Sequence, residues 1–206
     1  MACKIVIINY GMGNLNSVKR KLSRLGIDAC ISSDPLEITN TDKLILPGVG
    51  HFEKAIQNIR DLKLWDVLNE KVLIKKAPIL GICLGMQLMA KHSEEGNKEG
   101  FAWFDAEVVH FNMHEQLKHK APHMGWNNVK TTKHSLLFDD IAESQEFYFV
   151  HSYHIKSNEE EDILAISEYE YSFVSALEKD NIFGVQFHPE KSHDAGEKML
   201  ANFLKL

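Results

Sequence analysis

The sequence predicts a three-layer α/β/α fold: a central, mostly parallel sheet covered by helices on both faces, with an antiparallel extension. Three observations point there. In the first half, short apolar runs rich in β-branched residues alternate with segments of helical periodicity. Glycine and proline punctuate the ends of those runs. After about residue 105, strand-like runs follow one another with few helices between them.

Lys4 to Asn9 (KIVIIN) has the composition of a strand buried on both faces and is followed by Gly11 and Gly13. Leu15, Val18, Leu22 and Leu25 repeat at helical spacing, and Gly26 stands where a C-terminal cap belongs. Lys43 to Leu46 is a second buried strand, broken by Pro47-Gly48-Val49-Gly50. Leu64 to Ile74 has helical periodicity, Pro78 introduces the strand Ile79 to Ile82, and Leu84, Leu88 and Met89 predict a helix beginning beside Cys83. Ala106 to Phe111, Phe147 to Val150, Leu164 to Ser167, Ser172 to Leu177 and Ile182 to Phe187 form the antiparallel set. A last helix starts near Asp194, with Glu197 as capping-box partner, and buries Met199, Leu200, Phe203 and Leu204. No repeat, low-complexity tract or linker divides the 206 residues, so one domain spanning 1–206 is expected.

A chain of this length buries roughly 70% of its unfolded surface and needs no disulfide or metal to hold it. Its formal charge is −6, without a basic block or arginine–aromatic interleaving, which argues against nucleic acid as a ligand. Three cysteines without framework spacing suit a reducing compartment. The first residues lack the long apolar core of a signal peptide, and no run approaches a membrane span. A soluble cytoplasmic protein is the expectation.

Gly81-Ile82-Cys83-Leu84-Gly85 sits where a strand passes into a helix. A residue flanked by glycines at such a turn has the pattern of a nucleophile elbow, which lifts the central side chain out of the sheet. The N-terminus of the helix that follows favours thiolate over thiol. The pattern alone is weak, and a buried structural cysteine remains open. A thiolate nucleophile also needs a base and a group to orient that base. His188 and Glu190 are two apart in QFHPEKS, so in extended chain they point the same way, and Pro189 favours that geometry. The alternative is a solvated loop histidine beside a surface glutamate. An apolar strand delivers His188 to the carboxyl edge of the sheet, where open α/β folds place their sites. Leu84 N–H and the Val49-Gly50 turn are candidate oxyanion donors, the latter also readable as an ordinary turn.

PGVG (47–50), GICLGMQ (81–87) and FHPEKS (187–192) together resemble the class I (triad) glutamine amidotransferases. NYGMGN (9–14), PGVGHF (47–52), PHMGWN (122–127), YFVHSY (148–153) and QFHPEKS (186–192) are similar to the glutaminase subunits of imidazole glycerol phosphate synthase, over essentially the whole chain. The resemblance implies that Cys83 attacks the side-chain amide of glutamine, that His188 is the acid and base, and that Glu190 holds the imidazole. It implies oxyanion donors at Leu84, Val49 and Gly50, and glutamine contacts at Gly50, Gln87, Glu95 and Ser152. Without it, Gln87 is a polar residue of a first helical turn and Glu95 part of a solvated loop. It further implies ammonia transfer to a (β/α)8-barrel cyclase subunit in histidine biosynthesis, with Asn14, Trp126, Tyr148 and Lys191 facing that partner, and no cofactor.

Other features read plainly. Cys3 and Cys30 lie at or within strand candidates and are expected to be inert. His119 and His123 are four apart, but Pro122 disfavours a helix between them and no second cluster has zinc-like spacing, so no metal is expected. FNMHEQLKHKA (111–121) and HSYHIK (151–156) depart from what the histidine-pathway subunit leads one to expect. They keep open a paralogous glutaminase that supplies ammonia for amidinating a sugar in surface-polysaccharide synthesis. A stand-alone cysteine hydrolase and a non-catalytic module are the more distant alternatives.

Overall fold

A computed structural model describes residues 4–112 and 121–206. Cys3, His119 and most of FNMHEQLKHKA lie outside the described residues. Six helices are described: α1 (Leu15–Arg24), α2 (Pro35–Asn40), α3 (Phe52–Asp61), α4 (Leu64–Asn69), α5 (Leu84–Gln87) and α6 (His193–Lys205). The sheet is built on β1 (Ile5–Ile8), β2 (Cys30–Ser32), β3 (Lys43–Gly48) and β4 (Ile79–Cys83). The two-residue strands β5 (His92–Ser93) and β6 (Lys98–Glu99) follow, then β7 (Ala106–His110), β8 (His123–Thr131), β9 (Ser144–His151), β10 (Tyr153–Ser157), β11 (Ile163–Glu168), β12 (Ser172–Lys179) and β13 (Ile182–Val185).

The central strands run in the order β2-β1-β3-β4-β13, all parallel. β12, β10 and β7 continue the sheet antiparallel, and β11, β8 and β9 branch from β12 as a further antiparallel ribbon. The expected architecture is therefore present. Its cause is visible in β1, where all four residues are buried: Val6 and Ile8 belong to one apolar cluster, Ile5 and Ile7 to the other. Strand alternation sends successive side chains to opposite faces, so a strand apolar at every position needs a cover on both. α3 and α4 close the first face, α1 and α6 the second. Each fully buried Leu, Ile or Phe stabilises this arrangement by about 1.5–3 kcal/mol.

Several local expectations shift. Gly26 does follow α1 with φ +76°, as a left-handed cap requires. The helix from Leu64 is an α-helix to Asn69 and then a single π-turn, Glu70–Ile74. Glu197 makes no capping box: it pairs with Lys21 at 3.0 Å, and the N-cap Ser192 makes no side-chain bond to its helix. Cys30, half-buried in β2, is disulfide-bonded, where the sequence leads one to expect a reduced thiol; Cys83 is the free cysteine among the described residues. Among the described residues no helix is long and apolar enough to cross a membrane.

Candidate active site

β3, β4 and β13 end side by side, Gly48 opposite Cys83 and Val185 opposite Ile82, so the residues following these strands converge on one edge. Cys83 closes β4 with φ +55° and ψ −111°, a backbone shape that costs a side-chain-bearing residue about 1–3 kcal/mol. Its neighbours have to be glycine. A Cβ on Gly85 would stand 1.7 Å from the Leu46 carbonyl oxygen, and one on Gly81 would stand 2.8 Å from the backbone of Gly85. The strained turn is thus enforced by close packing of α5 on β3 and β4, and the side chain it presents is the thiol. α5 itself is a single turn, shorter than the sequence leads one to expect.

Behind Cys83 lies a buried ion-pair geometry. His188 Nδ1 and Glu190 Oε1 are 2.8 Å apart, with side chains only 2% and 3% exposed. His188 Nε2 is buried without a hydrogen-bond partner of ordinary geometry, and the Cys83 sulfur acts on it. Burial pushes the imidazole down, but the sulfur and the Glu190 carboxylate outweigh it and hold His188 up at about 10. The ring is therefore set to carry a proton beside the sulfur. The backbone around it is clamped: His188 N–H donates to the Tyr148 carbonyl at 2.8 Å, Ser192 Oγ donates to the His188 carbonyl at 2.6 Å, and Tyr148 N–H donates to Ser192 Oγ at 3.0 Å. Ser192 is thus used to tie His188 to β9 rather than to cap α6.

In front of Cys83 opens a cleft of about 230 Å³, lined by Val49, Gly50, Cys83, Leu84, Gln87, Glu95 and Ser152 among others. Every glutamine-contact and oxyanion position named from the resemblance meets there. Gly50 has φ +125°, and a Cβ on it would stand 2.5 Å from the Met12 methyl. The buried Tyr10 hydroxyl donates to the Pro47 carbonyl at 2.8 Å and so anchors the same loop; burial above all, and Cys83 after it, push that phenol up. Gln87 is buried and its amide nitrogen is spent on the Tyr153 carbonyl (2.9 Å) and Gln186 Oε1 (3.0 Å). Glu95 Oε2 accepts from Phe52 N–H at 2.7 Å, at the start of α3. A larger groove of about 440 Å³ along 131–143 contains none of these groups.

The four positions that the resemblance assigns to a partner split. Trp126 and Tyr148 are cross-strand neighbours with ring centroids 6.1 Å apart, and Lys191 stands 5.4 Å from the Tyr148 ring. Trp126 is 44% exposed and Met124, on the same face of β8, 62% exposed, an apolar surface of the kind that marks a contact site. Asn14 is the N-cap of α1, and no ring, ion-pair or hydrogen-bond contact joins it to the other three among the described residues.

Sequence reasoning passed over Gln186, which reaches the sulfur, and His151, which lines the cleft and bonds His123 at 3.0 Å. Gln186 had a signal, since it stands two residues before His188 just as His188 stands two before Glu190. Among the described residues no group of three or more His, Cys, Asp and Glu is placed to hold a metal ion, and His123 is paired with His151 instead.

The family model for glutamine amidotransferase class-I matches residues 6–206. The chain belongs to the class I glutamine amidotransferases, the family to which a strained cysteine turn, a buried His–Glu pair and a cleft before them had pointed. Within it, the similarity is to imidazole glycerol phosphate synthase subunits HisH. HisH 2 of Methanococcus maripaludis is 49% identical over 201 residues, 98% of each chain. HisH 2 of Pseudomonas aeruginosa is 44% identical over 202 residues, 98% of this chain and 99% of its own. Among solved structures, PurLQS from Thermotoga maritima superposes with a TM-score of 0.74 at 13% identity, covering 100% of this chain and 99% of that one. A structure described as a glutamine amidotransferase gives 0.75 at 18%, covering 97% of each. At those identities the structures speak for the fold alone.

Proposed function

We propose that this chain is the glutaminase subunit of imidazole glycerol phosphate synthase, an enzyme that releases ammonia from glutamine for histidine biosynthesis. The observation that carries the chemistry is Cys83, held in a strained turn between a buried His188–Glu190 pair and a cleft lined by Gln87 and Glu95. The names of its relatives support the pathway and do not favour sugar amidination.

In the proposed mechanism the Cys83 thiolate attacks the carboxamide carbon of glutamine. Backbone N–H groups of Leu84 and of the Val49-Gly50 turn stabilise the oxyanion of the tetrahedral intermediate. Collapse breaks the C–N bond, and His188 Nε2 gives its proton to the departing nitrogen, leaving ammonia and a Cys83 thioester. His188 then takes a proton from water as the water attacks the thioester, which returns glutamate and the thiolate. Glu190 keeps the imidazole in place and stabilises its charge. No step calls for a cofactor. Gln87 has spent its N–H groups inside the protein, so it offers the substrate only Oε1, an acceptor for an ammonium or amide N–H. Glu95 likewise offers the oxygen not bound to Phe52, suited to the α-ammonium group. Ser152 contributes through its backbone beside them.

Ammonia free in neutral water is protonated and loses its nucleophilicity, so it has to be delivered in a closed complex. A (β/α)8-barrel cyclase subunit is the proposed partner, docking on the face that carries Met124, Trp126, Tyr148 and Lys191, with Asn14 proposed as a further contact. The Val49-Gly50 peptide, freed by glycine, is the segment that partner binding would turn into the oxyanion hole. The chain acts as one glutaminase domain in the cytoplasm.

Glutamate release is to be measured with the chain alone and with the histidine-pathway cyclase barrel plus its ribonucleotide substrate. Strong stimulation and cyclised product are expected, with Cys83→Ser abolishing glutamine-dependent but not ammonia-dependent synthesis. Loss of both activities would make Cys83 structural. No stimulation by a folded barrel would move the acceptor to a sugar.

A further inference from the structure

We propose that Gln186 is a further catalytic residue of this site, donating an amide N–H to the Cys83 sulfur and so holding the nucleophile ionised and aimed. The inference rests on Cys83 being the nucleophile.

The orientation of the Gln186 amide follows from its neighbours. The backbone carbonyl of Tyr153 can only accept, so the end of Gln87 that lies 2.9 Å from it is the NH2 group. That same nitrogen lies 3.0 Å from the Gln186 side chain, which must present oxygen to it. The other end of Gln186, its NH2, is left 3.6 Å from Cys83 Sγ, within the longer reach of a bond to sulfur. A carbonyl on β10 therefore dictates, through two amides in series, that the atom facing the sulfur is a donor.

Burial gives this contact its consequence. Gln186 is fully buried, and its backbone N–H is fixed to the Ser175 carbonyl at 2.9 Å, so the side chain has neither water nor freedom. A buried amide N–H needs an acceptor, and the sulfur is the one it reaches among the described residues. A neutral thiol accepts hydrogen bonds weakly, whereas a thiolate accepts them well. The Gln186 donor is better satisfied when the sulfur is charged, and a donor to the charged form of an acid favours that form. His188 supplies the counter-charge and Gln186 a neutral second hold. Two holds from one strand end, at residues 186 and 188, also limit where the sulfur can lie as it meets the substrate carbon.

The test replaces Gln186 in the full chain by Met, which keeps length and removes the donor, and by Glu, which keeps shape and sets a carboxylate against the thiolate. Alkylation of Cys83 by iodoacetamide is followed from pH 5 to 9 in both variants and in the wild type. Gln186→Met is expected to move the alkylation profile upward in pH and to slow the reaction at pH 7 roughly 10-fold. Gln186→Glu should slow it further. Glutaminase kcat should fall in both variants, while KM for glutamine should hold in Gln186→Glu, whose carboxylate still accepts from the Gln87 amide. An unchanged profile and rate in folded Gln186→Met would overturn the proposal and leave Cys83 as nucleophile intact. Glutaminase activity surviving in Cys83→Ser would instead overturn the nucleophile assignment itself. Should neither Gln186 variant fold, the wild type answers: the side-chain amide resonances of ¹⁵N-labelled Gln186 must move when Cys83 is alkylated, and resonances that stay still refute the contact.

Discussion

Glu190→Gln isolates the charge on the third member of the proposed triad. The wild-type carboxylate meets His188 Nδ1 at 2.8 Å with both side chains almost fully buried. A charge-assisted bond in such a place contributes about 1.5–3 kcal/mol, against about 1 kcal/mol for a neutral one. The amide has two ways to sit, and both lose. With its oxygen toward Nδ1, its NH2 takes the place of Glu190 Oε2, which is buried without a partner, and Glu190 lines a pocket together with Arg20 and Arg24. That orphans two donors in a cationic setting, at about 1–3 kcal/mol. With its NH2 toward Nδ1, the imidazole must adopt the other tautomer and points a fixed N–H at the sulfur instead of taking a proton from water. Either way the imidazolium loses its counter-charge, and a barrier higher by about 2–4 kcal/mol follows, a roughly 30- to 1,000-fold loss in kcat. KM for glutamine should hold, because Glu190 does not line the substrate cleft. Steady-state glutamate release in the stimulated complex measures both constants, and ammonia-dependent synthesis by the same complex should be untouched. A kcat within about threefold of wild type, or a loss appearing in KM alone, would refute a role for the Glu190 charge in proton transfer.

Gly85→Ala should cost more than about 3 kcal/mol of stability or prevent folding, because its Cβ would stand 1.7 Å from a β3 carbonyl that cannot yield without breaking the sheet; denaturant unfolding at wild-type midpoint would disprove the packing account. Acid should destabilise the chain from about pH 7 downward. His151 and His154 are held below the usual histidine value, by burial above all, so below about 6.5 the unfolded chain binds protons that the native one refuses. Each such histidine removes up to about 1.4 kcal/mol per pH unit, giving a loss of about 2–3 kcal/mol between pH 7.5 and 5.5. His188 has the opposite sign: its contribution is full below about 6.5 and is lost as pH rises through about 10. Urea midpoints across that range check both limbs. His154→Phe should flatten the acid limb by about half, and an unchanged slope would remove His154 from it.

What the sequence showed plainly was local. Gly81-Ile82-Cys83-Leu84-Gly85 carries the elbow within five residues, and the glycines are demanded by contacts with β3 and with the turn's own backbone. β1 and β4 are apolar at nearly every position because both faces are covered, and that pattern survives without knowledge of the neighbours. β8 did not show itself: it pairs with β9 over eight positions, yet of its nine residues only His123 and Val129 are buried, so there is no apolar alternation to read. His123 and His151 are buried bonding each other, His151 also the Tyr153 carbonyl, and His154 the Ile155 carbonyl and the Tyr171 hydroxyl, and hydropathy has no term for polar groups that satisfy each other in this way. Phe52, Ala55, Ile56 and Ile59 do repeat as a helix should, and α3 follows directly on the Pro47–Gly50 turn.

The distribution of roles along β9 explains why its residues looked unremarkable one at a time. Phe147 and Phe149 point into the core, while Tyr148 turns its ring outward to Trp126 and Lys191. Through its backbone the same Tyr148 accepts from His188 N–H and donates to the hydroxyl that binds the His188 carbonyl. Two residues on, Val150 sets its carbonyl 3.9 Å from the Cys83 sulfur, and His151 and Ser152 wall the cleft. Period-two alternation and ladder bonding thus give one strand an outer face with an exposed aromatic surface, a buried face with core, and an edge that fixes His188. A body pressing on the Tyr148 ring presses on the strand that registers His188 against Cys83. Because those backbone bonds are short and buried, a displacement there has no soft element in which to dissipate before it reaches the imidazole.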